Sequence, residues 1–504
     1  MSDQAECGAL SPALAQLGEY LDRFSTGLHG DAGLRRRHWQ KVLQRPLPVD
    51  GIGLDKVLWE LGEQVIPNGS AIPLPGFTSF ITTGATNAGV LAALAAMVAA
   101  PQRIGLTAFQ ELEELSLDWL VALFRLPAEM KGIYSSGGST ANLLALGAAR
   151  QQAFERRGHD CGRDGVPAGG RLFATAASHR TIHRAAAVLG LGREAVITVD
   201  CDAQGRMCPR ALARQIEGVV SAGLVPVAVV ANAGTTATGA IDPLAEIAVL
   251  TSRFNIWLHV DGAYGLPGIL DERIRPRYAG IEQADSVVVD PHKWLGAPVG
   301  IGATLVKDRG LLQRAFTQGA ADYLEGSFCG ADAEQASPSS GFVHSLDALG
   351  IPYSDFGVEL SAPPRGVVVW ALLREIGAQG LAQRIRRHND MARGLAERVQ
   401  AHPRLQLLQA PTLSICCFRY QVAGCTDLNR LNRQLHRRLI QDGRSLPSTA
   451  VVGGKLALRP CFIGARTDWA QVDDLVQDVI RIGDELWAHS NSRGTSTVDF
   501  NSRR

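Results

Sequence analysis

A lysine that directly follows an apolar stretch is the residue with the clearest chemical potential in this chain. Lys293 lies near the end of SVVVDPHKW, residues 286–294, where three valines precede Asp290, Pro291 and His292. The valines predict a buried strand. An amine held partly out of water at the end of a strand loses its charge more easily than a free lysine, whose pKa is about 10.4. Such an amine can form an imine with an aldehyde cofactor. The alternative is a lysine that ends a strand in solvent, which is the commoner situation for this residue type.

A carboxylate ends a second apolar run. IWLHVDGAYG, residues 256–265, predicts a strand that finishes at Asp261 and is followed by the small residues Gly262 and Ala263. A carboxylate in this place can keep a pyridine nitrogen protonated, and a protonated ring is what makes pyridoxal phosphate an electron sink. The two small residues leave room for a flat ring. Considered alone, Asp261 could instead cap the next turn.

A glycine- and serine-rich turn, Ser135–Thr140, precedes an amphipathic helix in GIYSSGGSTANLLALGAAR, residues 132–150. Backbone N–H groups at a helix N-terminus, together with the hydroxyls of Ser139 and Thr140, could bind a phosphate. An ordinary helix N-cap is the alternative. The spacing differs from a nucleotide P-loop because no Gly-Lys-Ser/Thr follows.

Two more turns follow predicted strands. His179 lies between a strand-like stretch and a helix, and its ring could cover a cofactor or transfer protons. Thr235 and Thr236 follow the apolar run Val227–Val230 and could donate to a cofactor or to its phosphate. The alternatives are a loop histidine beside an N-cap and two hydroxyls that satisfy their own turn.

In this order the segments resemble the group II pyridoxal-phosphate-dependent amino acid decarboxylases, which include the aromatic amino acid, glutamate and histidine decarboxylases. The resemblance extends from about Leu74 to Arg466. The matching motifs are the serine–glycine turn at 135–140, His179, GTT at 234–236, HVDGAYG at 259–265 and DPHKW at 290–294. It implies pyridoxal 5'-phosphate as the cofactor and the PLP-dependent transferase-like fold of type I.

The resemblance also implies roles for individual residues. Lys293 would carry the cofactor, Asp261 would pair with the pyridine nitrogen, and His179 would stack on the ring and take part in catalysis. Further cofactor contacts would come from Ala263 on the other face of the ring, from Gly138, Ser139 and His292 at the phosphate, from Asp290 on the phosphate side, and from Thr236 near the ring oxygen.

Tyr323, in ADYLEGSF, matches the loop tyrosine credited in this family with protonating the substrate carbon after carbon dioxide leaves. An ordinary half-buried tyrosine is the alternative. The following stretch, Ser327–His344, is polar and rich in glycine, serine and alanine, which is typical of a mobile lid. We therefore expect a catalytic loop at about 321–350.

The expected reaction removes the α-carboxylate of an L-amino acid as carbon dioxide and leaves an amine. An aldehyde synthase, a lyase or an aminotransferase is the alternative, because the pocket decides which bond the cofactor breaks. Retention of Tyr323 favours the amine, since relatives that make aldehydes often carry phenylalanine there. A non-catalytic binding protein is a second alternative, which the intact Lys293, Asp261 and His179 oppose.

The sequence leaves the substrate open. LPGFTSF, residues 74–80, lacks the His-Pro and paired aromatics of family members that act on aromatic substrates, which argues against such a substrate. Val368 stands where relatives often carry a basic residue, and the sequence does not say with what effect.

Composition agrees with a soluble globular enzyme. The 504 residues are 46% hydrophobic and 20% charged, enough to bury a sizeable core in more than one lobe. A formal charge of +1 without a dense basic stripe predicts a small-molecule partner and no nucleic acid. The nine cysteines are odd in number and lack metal-ligand spacing, which predicts reduced thiols, a cytoplasmic location and no metal.

No segment suggests a membrane or a signal peptide. Acidic residues interrupt the first thirty positions, so no apolar signal core is expected there. The longest apolar run, Ala88–Ala100, is too short to cross a bilayer and suits a buried helix or a subunit interface.

The motifs must be positioned by an α/β fold. Alternating strand and helix patterns predict a doubly wound, mostly parallel seven-stranded sheet that presents the motifs at its strand ends. We expect an N-terminal helical arm at 1–84, a large cofactor-binding domain at 85–360, a smaller C-terminal α+β domain at 361–489 and a disordered tail at 490–504. The family resemblance implies a homodimer, for which the arm is a plausible clasp.

Overall fold

The computed structural model describes residues 10–26, 43–103, 105, 107–317 and 350–494. The chain forms two compact units. The large unit comprises Ile81–Ala392 and Pro411–Ile415, and the small unit comprises the chain up to Phe80, Arg393–Ala410 and the chain from Cys416 onward. The predicted domain boundaries remain a prediction.

The strands are numbered in chain order. They are β1 Phe77–Thr78, β2 Lys131–Ser135, β3 Gly170–Thr175, β4 Val196–Val199, β5 Val225–Asn232, β6 Trp257–Asp261, β7 Ser286–Val289, β8 Gly302–Val306, β9 Leu405–Gln409, β10 Cys417–Tyr420, β11 Leu446–Val452 and β12 Lys455–Arg459.

A seven-stranded sheet forms the large unit, with the strand order β2-β8-β7-β6-β5-β3-β4. Every neighbouring pair is parallel except those made by β8, which is antiparallel to both β2 and β7. Strands β6 and β7 are buried along their whole length, as expected for a sheet covered on both faces. The predicted α/β fold with a mostly parallel seven-stranded sheet is confirmed.

Helices connect and cover these strands. They are α1 Leu10–Thr26, α2 Leu54–Glu60, α3 Asn87–Ala99, α4 Ala108–Leu123, α5 Gly138–Glu155, α6 Cys161–Asp164, α7 Thr181–Val188, α8 Pro209–Ser221, α9 Leu244–Phe254, α10 Arg309–Phe316, α11 Gly366–Ala401, α12 Leu428–Asp442 and α13 Trp469–Gly494. Short helical turns occur at Leu61–Val65, Ile66–Asn68, Arg193–Ala195, Leu266–Leu270, Arg275–Tyr278, Ile281–Gln283, Pro291–Leu295 and Tyr353–Phe356. In the described residues, no helix has both the length and the apolar character that a membrane crossing requires.

The sheet brings the motif-bearing turns to one edge. Strands β3, β5, β6 and β7 run in the same direction, and β2 joins them because β8 reverses the direction twice. The carboxyl ends of these five strands therefore meet at one edge, which is where open α/β sheets bind ligands.

The small unit contains a five-stranded sheet in the order β1-β11-β12-β10-β9. Strand β1 is parallel to β11, with Phe77 opposite Leu446, and the other pairs are antiparallel. The run at 74–80, which the sequence placed in a helical arm, thus contributes a strand to the C-terminal sheet. A strand of two residues is too short for an alternating pattern to reveal.

Candidate functional site

A cavity of about 310 Å³ lies at the carboxyl edge of the seven-stranded sheet. It is lined by side chains and backbone from all five motifs, namely residues 136–140, His179, residues 234–236, Asp261 with Ala263, and Asp290 with His292 and Lys293. Every described residue predicted to bind the cofactor is among them. The volume is in the range of small-molecule sites.

Lys293 presents its amine to this cavity beside a buried acid. Its Nζ atom lies 2.9 Å from Oδ2 of Asp290, whose side chain is only 1% exposed. Lys293 belongs to the helical turn Pro291–Leu295 that follows β7, and its own backbone leaves helical geometry. The strand end and the acid together hold the amine in the pocket.

Asp290 has a second oxygen that lacks a partner. Its Oδ1 atom is buried and accepts no hydrogen bond from the described residues. The backbones of two glycines enclose the carboxylate, since a Cβ atom would lie 2.6 Å from Oδ2 if added to Gly138 and 2.7 Å from Oδ1 if added to Gly302. A buried acceptor without a partner beside a cavity marks a place for a ligand donor or a water molecule.

The glycine-rich turn has the geometry of an anion site. The first N–H groups of a helix have no intrahelical acceptor, and at Gly138, where α5 begins, no side chain caps them. The φ angle of Gly137 is 137°, a conformation that side-chain-bearing residues avoid, and a Cβ atom there would lie 3.1 Å from His292. His292 donates from Nδ1 to the carbonyl of Ile301 at the start of β8. Free N–H groups, a helix dipole and an imidazole edge together suit a phosphate.

Gly138→Ala is expected to weaken cofactor binding because its methyl group would push the Asp290 carboxylate away from Lys293. For pyridoxal phosphate, the cofactor that the sequence predicts, we expect the dissociation constant to rise roughly tenfold to a hundredfold, the scale of one or two lost polar contacts. Fluorescence titration of the cofactor-free protein measures it. Gly218→Ala, in the open interior of α8, is the matched control and should leave binding unchanged. Equal affinities for the two variants would contradict the prediction.

Asp261 ends β6 and is 8% exposed as a residue. Oδ2 accepts from the Asn142 amide at 3.2 Å, and Oδ1 accepts from the backbone N–H of Ala263 at 3.1 Å. Both donors are uncharged, so the carboxylate keeps its negative charge available to a cation in the cavity. Ala263 also lines the cavity and packs against Val288 and α5 in a buried apolar cluster.

His179 borders the cavity from the turn that follows β3, the strand next to β5 in the sheet. Its Nδ1 atom lies 2.9 Å from the hydroxyl of Thr181, the first residue of α7. Desolvation lowers the pKa of His179 below its ordinary value, although the Asp261 carboxylate acts in the opposite direction. The imidazole is therefore neutral near pH 7.

The hydroxyls of the two threonines after β5 differ in their hydrogen-bond partners and in their exposure. Thr235 accepts from the N–H of Ala240 at 3.1 Å and pairs with the Thr238 hydroxyl, so it satisfies its own turn. Thr236 is exposed and lines the cavity. The structure thus favours Thr236 as the cofactor contact of this pair.

Some predicted features cannot be placed. Tyr323, the catalytic loop at about 321–350 and the lid Ser327–His344 lie outside the described residues except for residue 350, so their roles stay predictions. Val368 is described and is buried in α11 with 3% exposure. In the described part of the chain, no cluster of three or more His, Cys, Asp or Glu side chains is arranged to hold a metal ion.

Two residues without a predicted role, His259 and Asn142, lie behind Asp261 in the protein interior. His259 donates to Oδ1 of Asn142, and Asn142 donates to Asp261. The signal for His259 was present in the alternation of Trp257, His259 and Asp261, since residues two apart on a strand share a face. Nothing local in the helix marks Asn142.

Comparison with known proteins identifies the family. The family model described as the pyridoxal-dependent decarboxylase conserved domain matches residues 55–421. An aromatic-L-amino-acid decarboxylase from Bacillus atrophaeus is 28% identical, with 88% of each chain covered. An L-2,4-diaminobutyrate decarboxylase from Rhizobium meliloti (strain 1021) is 32% identical, with 88% of this chain and 85% of the relative covered.

A solved structure agrees at the level of fold. The crystal structure of Catharanthus roseus tryptophan decarboxylase in complex with L-tryptophan superposes with a TM-score of 0.81 and 22% identity, covering 96% of this chain and 99% of the other. Because the family model spans most of the chain, the protein belongs to the pyridoxal-dependent decarboxylases and is a carboxy-lyase that uses pyridoxal phosphate to decarboxylate an amino acid.

Proposed function

We propose that the cavity at the carboxyl edge of the sheet is the active site, in which an L-amino acid loses its α-carboxylate as carbon dioxide and leaves as the amine. The observation that carries this proposal is the convergence, in one cavity, of an amine at Lys293, a buried carboxylate at Asp261 and an uncapped helix N-terminus at Gly138. These groups match an aldehyde, a pyridine nitrogen and a phosphate, respectively.

The described residues fit pyridoxal phosphate. The uncapped N–H groups at Gly138 suit an anionic phosphate, and the Asp261 carboxylate, whose two donors are uncharged, suits a protonated ring nitrogen. The buried Asp290 carboxylate suits the amine of Lys293. Lys293 would bind the aldehyde carbon, Asp261 the ring nitrogen, and His179 and Ala263 the two ring faces. Ser139, His292 and the N–H groups of α5 would hold the phosphate, and Thr236 would lie near the ring oxygen.

When bound, the cofactor supplies the conjugated, protonated ring that takes up the electron pair left by carbon dioxide. Asp261 keeps a negative charge at the ring nitrogen, which favours the transition state more than the ground state. Asp290, 2.9 Å from the Lys293 amine, would stabilise its ammonium form when the amine does not hold the cofactor. His179, neutral at pH 7, can cover the ring without adding a competing positive charge.

Tyr323 is the proposed proton donor to the substrate carbon, and its retention supports the amine rather than an aldehyde as the product. A screen of the common L-amino acids for released carbon dioxide, with mass analysis of the organic product, tests the proposed function. We expect one amino acid or one chemical class to yield equal amounts of carbon dioxide and amine. Transfer of the amino group without carbon dioxide, or an aldehyde as the main product, would contradict it.

A homodimer is part of this proposal. Helix α3 is apolar on all sides, and Val90, Leu91, Met97 and Val98 are 44–70% exposed on it. A helix that is hydrophobic around its whole circumference is normally buried, and a second copy of the chain would bury it.

Leu91→Glu is therefore expected to weaken the dimer, because a charge would enter an apolar contact. We expect the dimer dissociation constant to rise roughly a hundredfold, the effect of losing a central interface residue. Light scattering across a dilution series measures it. The matched control is Val249→Glu on α9, a position equally exposed at 65%. A wild-type protein that is a monomer would refute the proposal.

We also propose a cytoplasmic location. Among the described residues, Cys161, Cys201, Cys208, Cys416 and Cys425 are free thiols, and Cys161 and Cys416 are buried. Free thiols in this number suit a reducing compartment. Fractionation with thiol labelling in cells tests this, and oxidised cysteines in freshly isolated protein would oppose it.

A further inference from the structure

A line of buried polar side chains extends from Asp261 into the protein interior. On β6, Trp257, His259 and Asp261 are two residues apart and share one face, and His259 is opposite Ser286 on β7. Asn142 of α5 lies between His259 and Asp261. The proposed reaction assigns no role to the four residues behind Asp261.

Four hydrogen bonds join these side chains. They link Trp257 Nε1 to Ser286 Oγ at 2.7 Å, Ser286 Oγ to His259 Nδ1 at 2.8 Å, His259 Nε2 to Asn142 Oδ1 at 2.7 Å, and Asn142 Nδ2 to Asp261 Oδ2 at 3.2 Å. All five side chains are buried. Buried polar groups linked in this way polarise one another and are costly to disrupt.

The carboxylate of Asp261 determines the direction in which the hydrogen bonds along this line are donated. The indole of Trp257 can only donate, and the ionised carboxylate of Asp261 can only accept. Asn142 therefore donates from its amide nitrogen to Asp261 and presents Oδ1 to His259, so Nε2 of His259 must carry the proton and donate it. Nδ1 of the neutral ring is then an acceptor, and the Ser286 hydroxyl, which accepts from Trp257, donates to it.

His259 has the protonation state that this arrangement needs. Burial lowers the pKa of His259 to about 4, so the imidazole is neutral and has one N–H at neutral pH. The opposite tautomer carries the proton on Nδ1 and leaves Nε2 as an acceptor. It would favour an Asn142 amide whose oxygen and nitrogen have exchanged places, so that the N–H groups face His259. Reversal would place the amide oxygen against the Asp261 carboxylate, so that two acceptors faced each other.

We propose that His259 is a positioning residue, which selects the orientation of the Asn142 amide and thereby holds the Asp261 carboxylate toward the cofactor's ring nitrogen. The inference rests on the proposed function, since it takes Asp261 as the partner of that nitrogen. His259 touches neither cofactor nor substrate in this scheme. It acts only through Asn142, and the Ser286 hydroxyl supports the tautomer with the proton on Nε2 by donating to Nδ1.

Two substitutions at position 259 test the hydrogen bond to Asn142 separately from the loss of the imidazole ring. In His259→Gln, the amide nitrogen can reach the place of Nε2 and still donate to Asn142. In His259→Asn, the shorter side chain reaches only the place of Nδ1, so it can still accept from Ser286 but leaves Asn142 without its donor. We expect kcat to fall about tenfold in His259→Asn and to stay within about threefold of wild type in His259→Gln, the effect of one hydrogen bond of ordinary net strength.

Two spectroscopic measurements report on these hydrogen bonds and would not change if a substitution only disturbed the packing. The pH titration of the bound cofactor's visible absorption should shift in His259→Asn and stay at the wild-type position in His259→Gln. In full-length protein labelled with ¹⁵N at histidine, the His259 resonance should show the Nε2-protonated tautomer. Ser286→Ala removes the donor to Nδ1 and should give His259 a mixture of the two tautomers. If His259→Asn does not fold, Ser286→Ala provides the test instead.

Equal losses of kcat in the two His259 variants, or an Nδ1-protonated His259 in the wild type, would overturn the inference. Failure of the proposed function itself gives a different result. A wild-type protein that stays colourless with pyridoxal phosphate refutes the active site. A yellow wild type whose titration responds to Asp261→Asn but not to His259→Asn or Ser286→Ala refutes only the positioning role.

Discussion

Replacement of Lys293 by alanine is expected to abolish the covalent attachment of pyridoxal phosphate and nearly all decarboxylation. No other amine lines the cavity within the described residues. The rate should fall roughly a thousandfold or more, the scale seen when a covalent group is removed from an active site. Borohydride reduction followed by peptide mapping measures the attachment, and released carbon dioxide measures the rate.

Lys307→Ala is the matched control for this experiment. Lys307 also follows an apolar strand directly, but β8 runs opposite to its neighbours, so this lysine lies at the other edge of the sheet. Its Nζ atom donates to the carbonyl of Gln283. We expect the control to keep full attachment and full rate. A modified peptide containing residue 307, or attachment that survives Lys293→Ala, would refute the assignment.

Asp261→Asn is expected to separate catalysis from cofactor attachment. The amide has nearly the same shape but no charge, so it cannot hold the ring nitrogen in its protonated form. The protein should still become yellow because Lys293 is intact. We expect kcat to fall about a hundredfold to a thousandfold, as when a preorganised electrostatic group is removed. Steady-state kinetics and absorption spectra measure the two properties separately.

The control for this substitution is Asp285→Asn, at the amino end of β7. Its carboxylate accepts from the backbone N–H of Leu258 at 2.8 Å and lies at the sheet edge away from the cavity. We expect a loss of about 1 kcal/mol in stability, typical of one hydrogen bond, with kcat unchanged. If Asp261→Asn retained the wild-type kcat, or if both variants lost kcat equally, Asp261 would not be the partner of the ring nitrogen.

The seven-stranded sheet was predictable because each strand carries its own signal. Continuous valine and alanine runs such as those of β5 and β7 indicate strands buried on both faces. The glycines and polar residues at their ends mark the turns. The reversal of β8 had no comparable signal, since strand direction depends on the connection and not on the residues within the strand.

The small unit shows where local patterns fail. Strand β1 is only two residues long and pairs with β11, whose residues lie more than 360 positions later in the chain. The hydroxyl of Ser79 likewise donates to the carbonyl of Leu446. Pairings between segments so distant in sequence depend on the folded chain, and neither segment alone predicts its partner.

The residues of the proposed site also divide into those that a local sequence pattern indicates and those that only the folded chain brings together. The sequence by itself determined the family, the cofactor and the chemical types that must meet, because an amine, a carboxylate and a glycine-rich turn each carry a local signature. Only the tertiary structure decided which strand ends share an edge, which separates Lys293 from Lys307, and which side chains stand behind Asp261. The reason is that strand direction and contacts between a helix and a sheet arise from long-range packing, so Asn142 links His259 to Asp261 only once α5 lies across β6.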